Sequence, residues 1–543
     1  MFKNEIAKHK TKRGQALILS YMVISTFIIF SAGLLTKAIS EKNLEERSRL
    51  TEQAFYMAEG ATEDAIEAFT SDIANFVIAT NTAVYNHTTT FTTLGGTTVN
   101  TTITQMEATD RIVNDGTINI YVRDYEVTST AVHPLNANIS VTVHQIIARR
   151  LIPTFQHAVF YNDDLEIFPG ADMTIDGRVH SNKDIYLGSN TTLKINSFYL
   201  HCAGDIYEDR KDAPGTVPPG NVSIRVTRTG AAQYQNMAGL DSTDANWATD
   251  STDRWKGTVQ SAVHGVTSLT TPSVGSIDPS GHYASNADVI ITNDTIVKNG
   301  VTLTEGVDYP TGTIANSTSF YNNREGRNVK MTVIDMNKLA GSSGTCSGGT
   351  CPNNLPSNGL IYATRNDNAG GDQPGIKLIN GSEIHSAAGL TVVSNDPVYI
   401  QGDYNTVNEK PTSVICDAIN LLSGNWNDAN STLNVSSRNA NNTTFNTAII
   451  AGIDTSTVGG YNGGLENYPR MHENWSGRNL TIKGSFVSLW NSAIANGNWL
   501  YGNPQYTAPN RNWLYNTNFN NAANLPPFTP MAVEARRIAW WKD

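Results

Sequence analysis

Charge is scarce in this chain: Asp, Glu, Lys and Arg make up 16% of its 543 residues. A large helical bundle draws heavily on Leu, Ala, Glu and Lys, so the composition excludes that class beyond the N-terminal segment. Basic residues are the scarcer sign, 38 against 49 acidic, and a net charge of −11 argues against a nucleic-acid partner. Proline is absent before Pro134, so nothing in the first quarter of the chain forces a helix to break. Several chemical signatures are missing too: Gly-x-Ser-x-Gly, His-Glu-x-x-His, a phosphate-binding glycine loop and an Asp-rich calcium loop. Disorder is excluded by 21 Tyr, 16 Phe and 9 Trp, which give the chain ample surface to bury. What remains is rich in Gly, Thr and Asn, with roughly one residue in ten Asn, above ordinary usage. This is the composition of a β-rich exterior protein.

The first fourteen residues carry Lys3, Lys8, Lys10, Lys12 and Arg13 against Glu5 alone. From Gly14 to Thr36 there is no charged residue, long enough for a helix to cross a hydrocarbon core of about 30 Å. The positive flank predicts a cytoplasmic N-terminus and an exported body. Three readings compete: a secretory signal cut near Ser31-Ala32-Gly33, a plain membrane anchor, or a helix that continues past the membrane. The third uses the sequence after Lys37, where Ala54, Phe55, Ala58, Ala61, Ala65, Ile66 and Phe69 fall on one helical stripe. Glu52, Glu63, Asp64 and Glu67 lie mostly off that stripe, and Gly60 is its one weak point. A helix from Gln15 to Phe69 would be about 80 Å long.

The basic leader ending in Arg13-Gly14, the apolar helix that starts at once and the run QAFYMAEGATEDAIEAF resemble a type IV pilin, within that group most similar to PilX-like minor pilins and pseudopilins. The resemblance covers about the first 70 residues. It implies cleavage by a prepilin peptidase between Gly14 and Gln15, an inner-membrane precursor, and a pilus or cell-surface location after assembly with other pilins. Major pilins of the family carry Glu at the fifth mature position; here that position is Leu19. The family's Glu is thought to neutralise a neighbour's N-terminal amine inside an apolar bundle, where an unpaired charge costs several kcal/mol. Leu19 cannot do this, which suits a rare subunit at a filament tip better than a bulk building block.

Five of the 38 basic and one of the 49 acidic residues lie in the leader, leaving 33 against 48 and a net −15 for the exported part. Alternating apolar residues predict strands over 117–132 and 139–148, joined by a turn at Pro134-Leu135-Asn136 and covering the amphipathic half of the helix. From about residue 155 short apolar runs alternate with Gly, Asn and Asp. DGRVHSNKDIYL and GSEIHSAAGLTVVSNDPVYIQGDYN share [Val/Ile]-His-Ser shortly after a Gly. The pattern suggests a β-solenoid or irregular β-helix, with a β-sandwich as the competing architecture. The expected fold is therefore α+β: a leader over 1–14, a helix over 15–79 with 15–36 in the membrane, a small antiparallel sheet over 80–152, and a β-rich ectodomain over 153–543 with an insertion near 208–340. The segments AGLTVVSNDPVYIQGDYN, GGLENYPRMHENW and the aromatic tail around 506–530 also resemble ectodomains of uncharacterised bacterial surface proteins that carry such N-termini.

Cys346 and Cys351, five apart in a turn-rich loop, read as a local disulfide. Cys202 and Cys416 either pair with each other or are buried thiols. No metal or other cofactor is expected. Asp163-Asp164 is a candidate carboxylate pair for glycan cleavage, although neighbours in a strand point to opposite faces. Glu466, Arg470 and Glu473 are expected in a structural ion network or a groove. Trp426, Trp475, Trp490, Trp499 and Trp513 are candidates for stacking on surface glycans, with loop anchoring as the plainer role. The expected activity is assembly priming or adhesion rather than catalysis. The alternative is an anchored or secreted β-helix enzyme acting on polysaccharide.

Overall fold

The computed structural model describes residues 3–94, 96–115, 118–216, 218–367 and 370–543, with side chains except those of 3–13, 94 and 115. One helix, Lys3–Ala74, opens the chain. Its second half follows the expected stripe. Ala54, Ala58, Ala61, Ala65 and Phe69 are fully buried, joined by Leu50, Met57 and Ile73, while Phe55 and Ile66 are half-buried at the margin. Four of these residues are alanines, and their small side chains let the helix axis lie close against a sheet.

That sheet has six strands. Val84–Phe91, Thr97–Gln105, Ile118–His133, Asn136–Pro153 and Met531–Lys542 run antiparallel in this order, and Arg111–Asp115 pairs with the start of Ile118–His133. The expected hairpin is present and longer than its apolar alternation suggested. Tyr125, Val127 and Ile147 from its inner face, with Ile103 of Thr97–Gln105, form a core with Ala65, Phe69 and Ile73 of the helix. The last strand returns from the far end of the chain to pair along Asn136–Pro153, with Glu534 opposite Arg150 and Val533 opposite Leu151.

The remainder is β-rich, with several sheets, so α+β describes the whole. Its strands are short and pair mainly in parallel. The largest sheet has twelve strands. On one side of Val159–Tyr161 lie Val179–Ser181, Leu200–Cys202 and Val259–Gln260, in chain order. On the other side lie Phe486–Ser488, Ala448–Ala451, Thr412–Cys416, Leu390–Val393, Leu360–Thr364 and Val289–Thr292, in reverse chain order. An antiparallel pair, Thr295–Lys298 and Val301–Thr302, ends the sheet. The chain thus builds outward from Val159, passes to the opposite end, and builds back until Phe486 pairs with Val159. Residues 208–340 contain this passage and also contribute Asn221–Arg225, Val259–Gln260, Val289–Thr292 and Arg327–Asp335 to the parallel ladders.

Register across this sheet stacks like on like. One row faces the interior of the body: Val259, Leu200, Val179, Val159, Phe486, Ile449, Val414, Val392, Ile361 and Val289. The adjacent row faces outward, and from Phe160 through Val487, Ile450, Ile415 and Val393 to Tyr362 it is apolar as well. These outward residues join a core with Ile118, Ile120, Val122 and Ile152 of the antiparallel sheet. Two-sided burial explains why such strands read as unbroken apolar runs rather than as alternations.

A second repeat stacks beside it. Leu165, Ile185 and Ile206 are in register, each preceded by an aspartate. Asp164 Oδ1 accepts from the amide of Asp184 at 3.1 Å, and Asp184 Oδ1 from that of Asp205 at 2.8 Å. Close stacking leaves no room at Gly204, where a Cβ would stand 2.1 Å from Asp184 Oδ1.

Gly60 is different. An added Cβ there would meet only the Phe91 ring at 3.5 Å, an ordinary contact, in a right-handed helical backbone. Gly60→Ala is expected to stabilise the protein by roughly 0.5–1 kcal/mol. A melting temperature that falls on this substitution would show that the helix–sheet contact tolerates no added methyl group.

Candidate functional site

The helix is the first candidate. From Gly14 to Arg49 every residue is exposed, including Leu17, Phe27, Ile29 and Phe30, each more than 60% exposed. It is one helix long and apolar enough to cross a membrane. Four of the hydroxyls in its apolar run are satisfied within the helix, those of Ser20, Ser25, Thr26 and Thr36. Ser20 donates to Ala16 O at 2.8 Å, Thr26 to Met22 O at 2.7 Å and Thr36 to Ala32 O at 2.8 Å. Bonded in this way, they cost little in a medium that offers no hydrogen bonds. Gly14, Gln15 and Leu19 all lie in this free-standing part, Leu19 66% exposed. The side chains of the basic leader, Lys3 to Arg13, lie outside the described residues.

The candidate acid–base groups do not converge. Asp163 binds Lys183 at 2.8 Å, whereas Asp164 binds Lys211 at 2.6 Å, so each carboxylate is held by its own lysine. Glu466, Arg470 and Glu473 are all buried, but they serve three separate contacts. Glu466 accepts from the Phe168 amide at 3.2 Å and the Tyr461 hydroxyl at 3.1 Å. Arg470 pairs with buried Glu325 at 2.5 Å and also donates to the Ala495 carbonyl. Glu473 accepts from the amide and hydroxyl of Ser423, both at 2.6 Å. The cavity beside Glu166 and Arg470 holds only about 10 Å³, hardly one water. Burial pushes the carboxyls of Glu166 and Glu473 up to about 7, and raises that of Glu466.

None of the five candidate tryptophans is exposed: Trp426, Trp475 and Trp513 are buried, and Trp490 and Trp499 are half-buried. Trp475 is fully buried, and Trp513 stacks on Phe486 with ring centres 4.7 Å apart. Trp426 donates to Asp428 at 2.7 Å, and half-buried Trp499 donates to the Tyr506 hydroxyl at 3.0 Å. Trp490 is half-buried, its indole 3.4 Å from the Cys416 carbonyl. These side chains anchor loops. Cys346 and Cys351 form a disulfide, Cα atoms 5.2 Å apart. Cys202 and Cys416 are free and buried in separate strands of the twelve-stranded sheet, their thiols pushed up by burial. Among the described residues no cluster of three His, Cys, Asp or Glu is placed to hold a metal ion.

The two histidines of the sequence echo occupy unlike places. His180 sits in a parallel strand, in register with Phe160 and His201. His385 lies in a loop, its carbonyl accepting from Asn353 at 3.0 Å. His201 escaped the sequence reading, although its spacing of 21 from His180 matches that of Asp205 from Asp184.

Two substitutions test the structural role of the buried ions. Arg470→Met leaves Glu325 buried without its main partner and is expected to cost roughly 3–5 kcal/mol of stability. The double variant Arg470→Met, Glu325→Gln should recover much of that loss in thermal melts. Glu473→Gln tests the raised carboxyl. With its folded value near 7 against an ordinary 4.5, wild-type protein loses stability as pH climbs from 4.5 to 7, because only the unfolded chain ionises freely. The stability of Glu473→Gln relative to wild type should therefore rise over that interval, by up to about 3 kcal/mol, and level off above it. A difference that stays flat across pH 4.5–7 would contradict this burial effect.

No known family and no curated protein matches the chain by sequence. Among solved structures, the competence-associated pilin ComZ from Thermus thermophilus is similar at 8% identity over 91% of this chain and 97% of that one. The TM-score is 0.27, a correspondence too loose to carry an argument about fold or function.

Proposed function

We propose that this chain is a pilin-like filament subunit. In this reading a prepilin peptidase cuts an inner-membrane precursor after Gly14, and the helix then packs among other pilins while the β-rich body is displayed at the cell surface. One observation carries the reading: a single helix has one half bound to an antiparallel sheet through small residues and the other half bare and apolar. Exposed apolar surface of that extent needs lipid or neighbouring helices to cover it. The unbroken junction at Arg49–Leu50 fixes the body at one end of the bare segment.

Leu19 supports a place at or near the tip, where no preceding subunit presents an amine to neutralise. The in-register parallel ladders support reading the body as a β-solenoid whose coils stack on both sides of Val159–Tyr161. The role is assembly priming or adhesion rather than catalysis, supported by the separate lysine partners of Asp163 and Asp164 and the separate contacts of Glu466, Arg470 and Glu473.

The test is the mature N-terminus, read by mass spectrometry of protein expressed with and without a prepilin peptidase. A start at Gln15 that needs the peptidase, and that Gly14→Ala reduces or abolishes, is the expected result. An intact N-terminus, or a cut near Gly33, would overturn the filament reading and leave an anchored or secreted surface protein.

A further inference from the structure

The outward row of the twelve-stranded sheet changes character at Phe160. Beyond it the row continues as His180, His201 and Gln260, where the same positions on the other side are apolar. The apolar seam with the antiparallel sheet stops here, and a cavity of about 430 Å³ opens between the two. His157, Arg178 and His180 form its buried floor, and the Arg178 guanidinium lies 3.6 Å from the centre of the Tyr199 ring. The antiparallel sheet contributes Arg150, Glu534 and Arg536, with Glu534 bonded to both arginines. Arg536 and Arg228 are exposed, so the cavity is open at the rim. Four guanidiniums thus face a single carboxylate, on a chain whose net charge is −11.

The histidines add hydrogen-bonding groups rather than charge. Burial, with Arg178 adding to it, holds the His180 imidazole down to about 4 and keeps His157 and His201 well below the ordinary range. His180 Nε2 contacts Asn182 Oδ1 at 3.0 Å, while His180 Nδ1 and His201 Nε2 have no partner within the protein. Neutral imidazoles with a spare nitrogen suit hydroxyl groups, and guanidinium forks suit carboxylates. The volume lies in the range of small-molecule sites.

We propose that this cavity binds an acidic sugar unit, a uronate, with its carboxylate held by the arginines and its hydroxyls by His180 and His201. The ring hydroxyls distinguish this ligand from a bare anion, which would use the arginines and leave the imidazoles unmet. The inference deepens the adhesive part of the proposed function and rests on that reading for its setting. Binding by the purified chain is measured without filaments, so its failure and that of the filament reading are separate outcomes.

The experiment is calorimetric titration of the full chain in detergent with D-galacturonate and D-glucuronate, using D-galactose and inorganic phosphate as comparators. Uronate binding that weakens with added salt is expected, with galactose at least about tenfold weaker for want of a charge-assisted bond. Arg228→Gln, at the exposed rim, should weaken uronate about tenfold without moving the melting temperature. His180→Phe, which repeats the neighbouring Phe160, should weaken uronate by a similar factor and leave phosphate unchanged. No uronate binding, or uronate no tighter than galactose, would overturn the proposal. So would phosphate binding as tightly as uronate with indifference to His180→Phe, which would mark a simple anion site.

Discussion

The pairing of Met531–Lys542 along Asn136–Pro153 is the contact on which the rest of the structure depends. It joins residues nearly 400 apart in sequence, so its loop-closure entropy is large and must be met by what the closed structure buries. Two cores supply that. The helix stripe closes one face of the antiparallel sheet, and the seam with the twelve-stranded sheet closes part of the other. Because the chain both enters and leaves the β-rich body through neighbouring strands of one sheet, the body is held at both ends. It cannot swing on a single linker, and the direction of the free helix is fixed relative to the body. Under the filament proposal, this fixed direction would let the helix pack among other helices while the body stays outside.

The buried polar groups serve the same end. A body made of short strands has many loops, and each loop leaves backbone amides to satisfy. Asp417 accepts from the amides of Ile494 at 3.0 Å and Ala495 at 2.8 Å, and also from that of Ala493. Glu473 closes the turn at Ser423, and Glu466 receives the amide of Phe168. A carboxylate removed from water is costly unless such donors surround it. Carboxylates that have spent their acceptors on backbone amides are poor candidates for proton transfer to a substrate. These groups are dispersed, each committed to a different loop.

Legibility in the sequence followed the number of side chains each element commits to one environment. The helix stripe from Ala54 to Phe69 and the hairpin of Ile118–His133 with Asn136–Pro153 span many periods, and both could be read directly. Most of the parallel strands hold two to five residues, too few for a period to register, and several are apolar on both faces. Repetition from strand to strand was the stronger signal. Asp164-Leu165, Asp184-Ile185 and Asp205-Ile206 recur at spacings of 20 and 21. The more conspicuous echo around His180 and His385 joins a strand to a loop and has no structural counterpart. Met531–Lys542 was hidden for another reason. Arg536, Arg537, Ile538, Trp540 and Trp541 are exposed along its outer half, so that part carries no alternation and reads as a tail. The disulfide was legible because both cysteines sit in one short loop. The fate of Cys202 and Cys416 depends on which strands carry them.

One row of side chains shows how little separates a structural surface from a binding one in this architecture. Parallel in-register stacking gives each strand a single outward residue at the level of the seam. Where that residue is Val487, Ile450, Ile415 or Val393, it is buried in a core shared with the antiparallel sheet and with Ile277, Tyr283 and Phe519. Where it is His180, His201 or Gln260, closure would bury polar atoms without partners, at about 1–3 kcal/mol each. The two sheets stand apart there, and arginines from both sides fill the space. The strand ladder continues through both stretches, so the cavity is set by these three side chains together with residues outside the strands such as Arg228 and His264. A site built this way can change its ligand by substitution in the row without disturbing the inward row, Val179, Leu200 and Val259, on which the fold rests.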